Sequence, residues 1–329
     1  MKLPRRNFLR LAAGAAALPA VSRIARAQAY PTRPVRLIVG FPAGGVADLF
    51  ARLIGQWLSE RLGQPFIIEN RPGAGGNLAA EAAVKATPDG YTLLMVGSNN
   101  AFNVTLYDNL SFDFVRDIAP VGSIYRGLSV LVVHPSFPVK SVPDLIAYAK
   151  ANPGKINMAS GGVGSPQHVY GELFKMITGV DMLHVPYRGT PQAINDVLGG
   201  SIDLMFPDPS SALGPILSGR LKLLGVASNK RLNKFPDVPT IAESGFPGFE
   251  MVAWVGAFVP ARTPSEIVTR LNQELNAIIQ RDDMLAYFDT IGAQVYATTP
   301  DELRAYVAED TRRWAEIVEL GNIEKKASQ

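Results

Sequence analysis

The chain has 329 residues, of which 47% are hydrophobic and 19% charged, and it contains no cysteine. This length can bury enough apolar surface to fold as one large domain or two lobes without disulfides. The absence of cysteine excludes a thiolate nucleophile, a zinc–thiolate site and a lipid-modified N-terminal cysteine.

The positive charge of the chain is concentrated at its N-terminus. The whole chain carries 32 Lys+Arg and 29 Asp+Glu, which gives a net charge of +3. Six of the basic residues and no acidic residue lie in residues 1–27, so the remainder carries a net charge of −3. The charge balance therefore does not favour binding to nucleic acid.

This N-terminal segment has the pattern of an export signal. The sequence RRNFL at residues 5–9 precedes an Ala/Leu-rich stretch at residues 11–21 that is too short to span a bilayer. The paired arginines resemble a twin-arginine signal, and the alternative is the basic start of a general secretory signal. We expect cleavage near Ala27 or Ala29 and delivery to the periplasm. Residues 1–29 are therefore excluded from the predicted fold.

Short apolar runs alternate with amphipathic stretches along the rest of the chain, separated by glycine and proline. The pattern predicts strands at residues 35–41, 65–70, 91–97, 128–133, 156–160, 182–187, 202–206, 221–227, 252–259 and 294–296. It predicts helices at residues 46–62, 76–86, 141–150, 166–178, 190–198, 210–218, 264–280, 283–290 and 300–319. The alternation predicts an α/β protein with doubly wound, mainly parallel sheets.

The order of the predicted elements indicates two lobes. We expect residues 30–130 and 255–329 to form the first lobe and residues 131–254 to form the second, with the chain crossing between them twice. A cleft between two α/β lobes, faced by the carboxyl ends of the strands, is a common place for a ligand.

Three glycine-rich loops each follow a predicted strand and precede a predicted helix: Pro42–Gly45, Gly73–Gly76 and Gly161–Ser165. Glycine lets backbone N–H groups approach a ligand closely, and a helix N-terminus adds partial positive charge that suits a carboxylate or a phosphate. No loop carries a nucleophile, a metal ligand or a Walker lysine beside its glycines. The pattern therefore favours a binding protein over an enzyme, and it predicts neither a metal nor a cofactor.

Several polar side chains near these loops each allow two interpretations. Asp48 lies four residues before Arg52, which favours a helical ion pair, but it could also contact the ligand or order the first glycine loop. Ser165 and His168 could form a serine–base pair, although a helix-capping serine with a first-turn histidine is favoured. Asp208 could cap the helix that follows it, or it could point into the cleft and meet an ammonium or a hydroxyl group.

Four longer segments carry a family resemblance. They are YPTRPVRLIVGFPAGGVADLFAR at 30–52, ENRPGAGGNLAAEAAVKATPDGYTLL at 69–94, HVPYRGTPQAINDVLGGSIDLMF at 184–206 and FPDVPTIAESGFPGFE at 235–250. In their order and spacing, these segments resemble the substrate-binding receptors of tripartite tricarboxylate transporters, the Bug family of periplasmic solute receptors. The resemblance implies a two-lobed, type II-like periplasmic-binding-protein fold with a ligand cleft between the lobes.

The resemblance also implies where the ligand binds. In the family, backbone amides and ordered water near the first-lobe loops hold the ligand carboxylate, and small hydroxyl side chains complete the site. Carried over by position, the predicted ligand-binding residues are Phe41, Ala43, Gly44, Gly45, Asp48, Ser98, Asn99, Ser160, Gly164, Ser165, His168, Gly189, Thr190 and Asp208. Val46 stands where serine or threonine is frequent, which makes the first-lobe wall more apolar, and Arg188 replaces a common lysine.

The predicted function is capture of a small organic carboxylate and its delivery to the membrane permease subunits of a tripartite transporter. Arg188 is the only arginine in the site loops, so a mono- or dicarboxylate is favoured over citrate. We expect a monomer that is not embedded in the membrane. One alternative is a periplasmic sensor or scavenger of the same fold that signals to a regulator. The less favoured alternative is an exported enzyme that uses Ser165 or Asp208.

Overall fold

The computed structural model describes residues 30–290, 293–320 and 325–327, and the side chains of Val46, Thr290, Leu320, Lys326 and Ala327 are outside that description. The predicted export signal at residues 1–29 therefore lies outside the described residues. The elements of the first part of the chain are β1 (Val35–Val39), α1 (Val46–Leu62), β2 (Phe66–Asn70), α2 (Asn77–Val84), β3 (Thr92–Gly97), α3 (Ser98–Leu106) and β4 (Tyr107–Asp108). Strand β1 pairs in parallel with both β2 and β3, which confirms the predicted β/α alternation in this part.

The first helix packs on this sheet through a stripe that only partly coincides with the predicted apolar face. Periodicity predicts that Leu49, Leu53, Trp57 and Leu58 form the apolar face. In the structure the buried apolar side chains of α1 are those at Ala47, Phe50, Ala51, Ile54 and Leu58, which pack with Val35, Leu37 and Val39, while Leu53 and Trp57 are partly buried against the same core. Phe50 stacks on Phe288 at 4.8 Å, and Leu49 is the predicted side chain that does not join this core.

A single long strand, β5 (Ile118–Val133), joins the two parts of the sheet. Its residues up to Leu128 pair antiparallel with β10 (Val252–Pro260), which in turn pairs with β3. Its residues from Ser129 onward pair with strands of the second sheet region instead. The prediction found only the end of this strand, because Pro120, Gly122, Arg126 and Gly127 interrupt the apolar pattern of its first ten residues.

The second sheet region contains the remaining parallel strands. Its elements are α4 (Val142–Ala151), β6 (Asn157–Ser160), α5 (Pro166–Thr178), β7 (Leu183–Pro186), α6 (Thr190–Leu198), β8 (Leu204–Met205), α7 (Pro209–Leu217) and β9 (Lys222–Ala227). Strand β6 pairs in parallel with β7 and β8, while β8 and β9 pair antiparallel with β5. The parallel groups in both regions agree with the predicted α/β class, and the crossing strands β5 and β10 add the antiparallel pairs.

The C-terminal part returns to the first sheet region. Its elements are α8 (Ser265–Ile279), α9 (Asp282–Thr290), β11 (Gln294–Val295), α10 (Pro300–Leu320) and β12 (Lys326–Ala327). Strand β11 pairs with β5, and the long helix α10 packs on α3 and β5. Trp314 of α10 packs against Phe102 and Tyr170, so this helix contacts elements on both sides of the crossing strand. Within the residues that the structure describes, no helix combines the length and the apolar character needed to cross a bilayer.

Candidate ligand-binding site

Two neighbouring cavities lie between the two sheet regions. The inner pocket, of about 60 Å³, is lined by Phe41, Pro42, Gly45, Ala47, Gly97, Ser98, Asn99, Tyr125, Pro166, Gln167, Thr190, Pro191, Asp208, Ala253, Trp254 and Val255. The outer cleft, of about 830 Å³, is lined by residues 40–42, 72–76, 78, 107, 161–163, 186–188 and 192. Phe41 and Pro42 line both cavities, so the inner pocket adjoins the outer cleft at these two residues.

Five helices begin at the inner pocket. Helix α1 follows Gly45, α3 begins at Ser98, α5 begins at Pro166, α6 begins at Thr190, and α7 follows Asp208. The N-terminus of each helix carries partial positive charge and N–H groups without helical partners. Together these N-termini form a site that suits an anion without the help of a basic side chain. Among the described residues that line this pocket, the only charged side chain is that of Asp208, which is acidic.

Asp48 stabilises the first glycine loop, Pro42–Gly45, without lining either cavity. Its carboxylate accepts hydrogen bonds from the Gly44 N–H at 2.9 Å, from the Arg52 guanidinium at 3.0 Å and from Asn70 Nδ2 at 2.9 Å. Burial alone would raise the pKa of Asp48, but these hydrogen bonds outweigh burial and hold it below its usual value. Asp48 is 3% exposed and lines neither cavity, so it both forms the helical ion pair and orders the loop. Ala43 and Gly44 are exposed and also lie outside the cavity linings.

Buried amide side chains stabilise the second glycine loop, and the sequence analysis did not single out most of them. Asn99 Nδ2 and Asn103 Nδ2 both donate to the carbonyl oxygen of Gly75, at 2.6 and 3.0 Å. Asn100 and Asn103 also donate to Asn77 Oδ1, at 3.3 and 3.2 Å. The signal in the sequence is the spacing of these asparagines on the helix after β3, next to an asparagine that directly follows the loop.

The third glycine loop, Gly161–Ser165, is supported by the predicted residues Ser160, Ser165 and His168 together with His184, which was not predicted. Ser165 caps helix α5 through a hydrogen bond from the His168 N–H to its hydroxyl, and His168 Nδ1 accepts from the Gly164 N–H at 3.3 Å. The rings of His168 and His184 stack at 4.1 Å, and His184 Nε2 lies 2.6 Å from the Ser160 hydroxyl. Ser160, Gly164, Ser165 and His168 line neither cavity. They lie behind residues 161–163, which line the outer cleft.

Contacts between the loops bring the two sheet regions close together. A Cβ atom on Gly189 would lie 2.9 Å from Pro42 Cγ, and one on Gly75 would lie 3.1 Å from the carbonyl oxygens of Val163 and Gly164. The loops on opposite sides of the cleft are therefore in contact, and this conformation is closed. Thr190, next to Gly189, accepts a hydrogen bond from Gln167 Nε2 at 3.2 Å.

Asp208 points into the inner pocket. It occupies the position before α7, but its side chain makes no capping hydrogen bond. Instead, the Tyr125 hydroxyl donates to Asp208 Oδ1 at 3.1 Å. Burial raises the pKa of Asp208 to about 6, and burial likewise raises the pKa of Tyr125 well above its usual value, so Tyr125 remains a donor. Of the two interpretations of Asp208, the structure agrees with the one that directs it into the cleft.

Six of the predicted residues line the inner pocket: Phe41, Gly45, Ser98, Asn99, Thr190 and Asp208. Sequence reasoning missed Tyr125, Gln167 and Trp254, which also line it. Trp254 lies in the predicted strand at residues 252–259, where nothing in the pattern marks it as a ligand contact, and Tyr125 falls in the unpredicted part of β5. Within the described part of the chain, no three His, Asp or Glu side chains come together as a metal site would require.

Two sheet regions joined by crossing strands around a closed cleft define a type II-like periplasmic-binding-protein fold. Solved structures that share it include the three that follow. BugD, described as a periplasmic binding protein, has a TM-score of 0.86 and 33% identity, with 90% of this chain and 100% of that chain covered. Rpa4515 of R. palustris, solved with adipate, has a TM-score of 0.85 and 35% identity, with coverages of 89% and 98%. MatC of Rhodopseudomonas palustris, solved with bound malate, has a TM-score of 0.84 and 33% identity, with coverages of 88% and 100%.

The family follows from the sequence match. Residues 50–323 match the model of the tripartite tricarboxylate transporter family receptors. The chain belongs to this family, as the resemblance of its four segments predicts.

Proposed function

We propose that this protein is a periplasmic receptor that captures a small organic carboxylate in the inner pocket and delivers it to a tripartite tricarboxylate-type permease. The observation that carries the proposal is the meeting of five helix N-termini at a pocket between two sheet regions. Such N-termini stabilise negative charge without a fixed cation. The adipate and malate bound in two relatives support a carboxylate as the ligand.

The size and charge of the site favour a mono- or dicarboxylate. The inner pocket has room for roughly four to six water molecules, which suits a compact acid. No lysine or arginine is among its described lining residues, and Arg188 lines the outer cleft instead. A tricarboxylate would bring more negative charge than uncharged N–H groups can balance.

The proposed mechanism is closure of two lobes around the ligand. We propose that residues 30–130 with 255–329, and residues 131–254, move as these lobes. The ligand contacts both lobes, so its binding energy shifts the equilibrium from the open to the closed form. In the closed form the N-termini of α1 and α3 belong to the first lobe, while those of α5, α6 and α7 belong to the second.

We also propose export through the twin-arginine route, with the signal removed near Ala27 or Ala29, and action as a monomer. The arginine pair at residues 5–6 and the short apolar stretch after it support export. Solved relatives described as periplasmic binding proteins support the same compartment.

An enzymatic role has weaker support. Ser165 caps a helix, and His168 Nδ1 accepts a hydrogen bond from the backbone of Gly164, so this histidine nitrogen is occupied by a backbone contact. Family members and structural relatives are solute-binding proteins.

A sensor or scavenger would bind the same ligand, and uptake assays in cells that lack the neighbouring permease would separate sensing from transport.

Native mass spectrometry of the protein purified from periplasm tests the proposal. We expect one small carboxylic acid bound at a ratio of one to one, lost when the protein is unfolded. Recovery of a neutral solute or of a tricarboxylate in its place would overturn the proposal.

A further inference from the structure

The inner pocket combines an anion site with one acidic side chain. Asp208 Oδ1 accepts the hydrogen bond from Tyr125, and no lysine or arginine is among the described residues that line the pocket with it. Two carboxylates enclosed together repel each other, and an ionised carboxylate without a partner is costly to bury. A ligand that offered only carboxylates would therefore meet an unfavourable charge at Asp208.

Building on the proposed function, we propose that the ligand is an amino-group-bearing carboxylate whose ammonium group pairs with the Asp208 carboxylate while its own carboxylate lies at the helix N-termini. This arrangement gives each ionised group in the closed pocket an opposite partner. In this arrangement Asp208 determines whether the site prefers amino acids or organic acids that lack an amino group.

The rings around Asp208 suit a cation as well. Phe41, Tyr125 and Trp254 line the same pocket, and aromatic rings attract ammonium groups through their negative faces. The Trp254 Nε1–H donates to Asp310 at 2.7 Å, so this indole is already held by another partner. The hydrogen bond from Tyr125 fixes the orientation of Asp208 across the cleft, since Tyr125 lies on β5 and Asp208 precedes α7.

Protonation of Asp208 should control the affinity. The titratable groups that act on this carboxyl are Tyr125 and Tyr170, and burial raises the pKa of both well above the usual value, so both are neutral. With its own pKa raised to about 6 by burial, Asp208 is mostly ionised at pH 7.5 and mostly protonated at pH 5. An ammonium ligand should lose affinity over this range, whereas a plain acid should not.

The test is isothermal titration calorimetry with matched pairs of probes at pH 7.5: propionate and alanine, succinate and aspartate, glutarate and glutamate. Each pair differs by one amino group. We expect the amino member of the pair that fits to bind at least tenfold more tightly than its partner. Asp208→Asn should reduce its affinity at least tenfold and leave that of the plain acid unchanged or tighter, whereas Asp283→Asn, the same change at an exposed position, should alter neither.

The outcomes separate this inference from the proposed function. If plain acids bind at least as tightly as their amino partners, or if Asp208→Asn leaves their ratio unchanged, the role of Asp208 is wrong and the carboxylate receptor stands. If no member of any pair binds, both proposals are contradicted. Binding of a plain acid by Asp208→Asn shows that the variant is folded, and Asp208→Glu, which keeps the charge, should retain the preference for the amino member.

Discussion

The hydroxyl of Tyr107 donates a hydrogen bond of 3.1 Å to the backbone carbonyl oxygen of Val163 across the outer cleft. Burial raises the pKa of Tyr107, so its hydroxyl stays protonated and able to donate. Both residues line the outer cleft from opposite sides. Because the bond joins the two sides of the outer cleft, we expect it to stabilise the closed form without touching the inner pocket.

Tyr107→Phe should weaken ligand binding. Loss of one hydrogen bond of this kind costs about 0.5–1.5 kcal/mol, which corresponds to an affinity roughly 2- to 10-fold lower. Calorimetry with the co-purified acid measures the effect, and Tyr148→Phe on helix α4 serves as a control with the same chemical change. An unchanged affinity in Tyr107→Phe would show that this bond does not contribute to closure.

Gly164→Ala should prevent complete closure of the cleft. Gly164 has a φ of 75°, and a Cβ there would overlap the amide oxygen of Asn103 and lie 3.0 Å from Tyr107 Cε2. Gly179→Ala is the matched control, because Gly179 has a φ of 67° but nothing within 4 Å of the added Cβ. Both variants incur the cost of a left-handed residue, about 1 kcal/mol.

We therefore expect similar melting temperatures for the two glycine variants without ligand, but at least tenfold weaker binding in Gly164→Ala alone. Small-angle scattering should show a more open average shape for Gly164→Ala at saturating ligand. Equal affinities in the two variants would contradict a closed contact at this position.

Asp48→Ala should loosen the first glycine loop. The substitution removes the acceptor of the Gly44 N–H and one of the two acceptors of Asn70 Nδ2, which costs about 0.5–1.5 kcal/mol of the free energy of unfolding for each hydrogen bond. We expect a lower melting temperature and weaker ligand binding. Asp283→Ala, which breaks the exposed ion pair with Arg281, should change neither by a comparable amount. Full binding by Asp48→Ala would show that the loop forms without this carboxylate.

Asp310→Asn should stabilise the protein at neutral pH. Burial raises the pKa of Asp310 to about 6, against 3.8 in its unshifted form. The folded state holds this proton more tightly than the unfolded state, so the stability that it contributes is present below pH 4 and lost as the pH rises to 6. Asparagine can still accept the hydrogen bond from Trp254 Nε1 without carrying a charge.

Chemical denaturation at pH 7.5 should show Asp310→Asn to be more stable than the parent by about 1–3 kcal/mol, with a smaller difference at pH 4.5. Asp208 has a pKa raised in the same direction, so part of the slope should remain in the variant. A variant that is less stable than the parent at pH 7.5 would mean that the charged form of Asp310 is favourable in the folded protein.

The glycine loops and the helices that follow them could be predicted because their signals are local. In the loop at Pro42–Gly45, glycine marks the turn, and the amphipathic period begins directly afterwards. The same holds for the start of α5, where Ser165 and Pro166 give both a cap and a first-turn proline. These local signals placed Gly45 at a helix start, whereas Ser98 and Thr190 entered the predicted site through the family resemblance, and all three line the inner pocket.

The pairing that defines the inner pocket could not be predicted in the same way. Tyr125 and Asp208 are 83 residues apart, and they meet only because β5 passes from one sheet region to the other. The first part of β5 has no clear apolar alternation, because helices cover the sheet here and nearly all of its side chains are buried, whichever face of the sheet they are on. Packing also decided the buried face of α1, where Phe50 rather than Leu49 faces the core.

The most direct test of the receptor account is titration calorimetry of the mature protein with a panel of mono-, di- and tricarboxylates, each beside its neutral amide. The account predicts one-to-one binding of at least one mono- or dicarboxylate and no heat of binding from the matching amide, because the helix N-termini require negative charge. Binding of an amide as tightly as its acid, or of tricarboxylates alone, would contradict it.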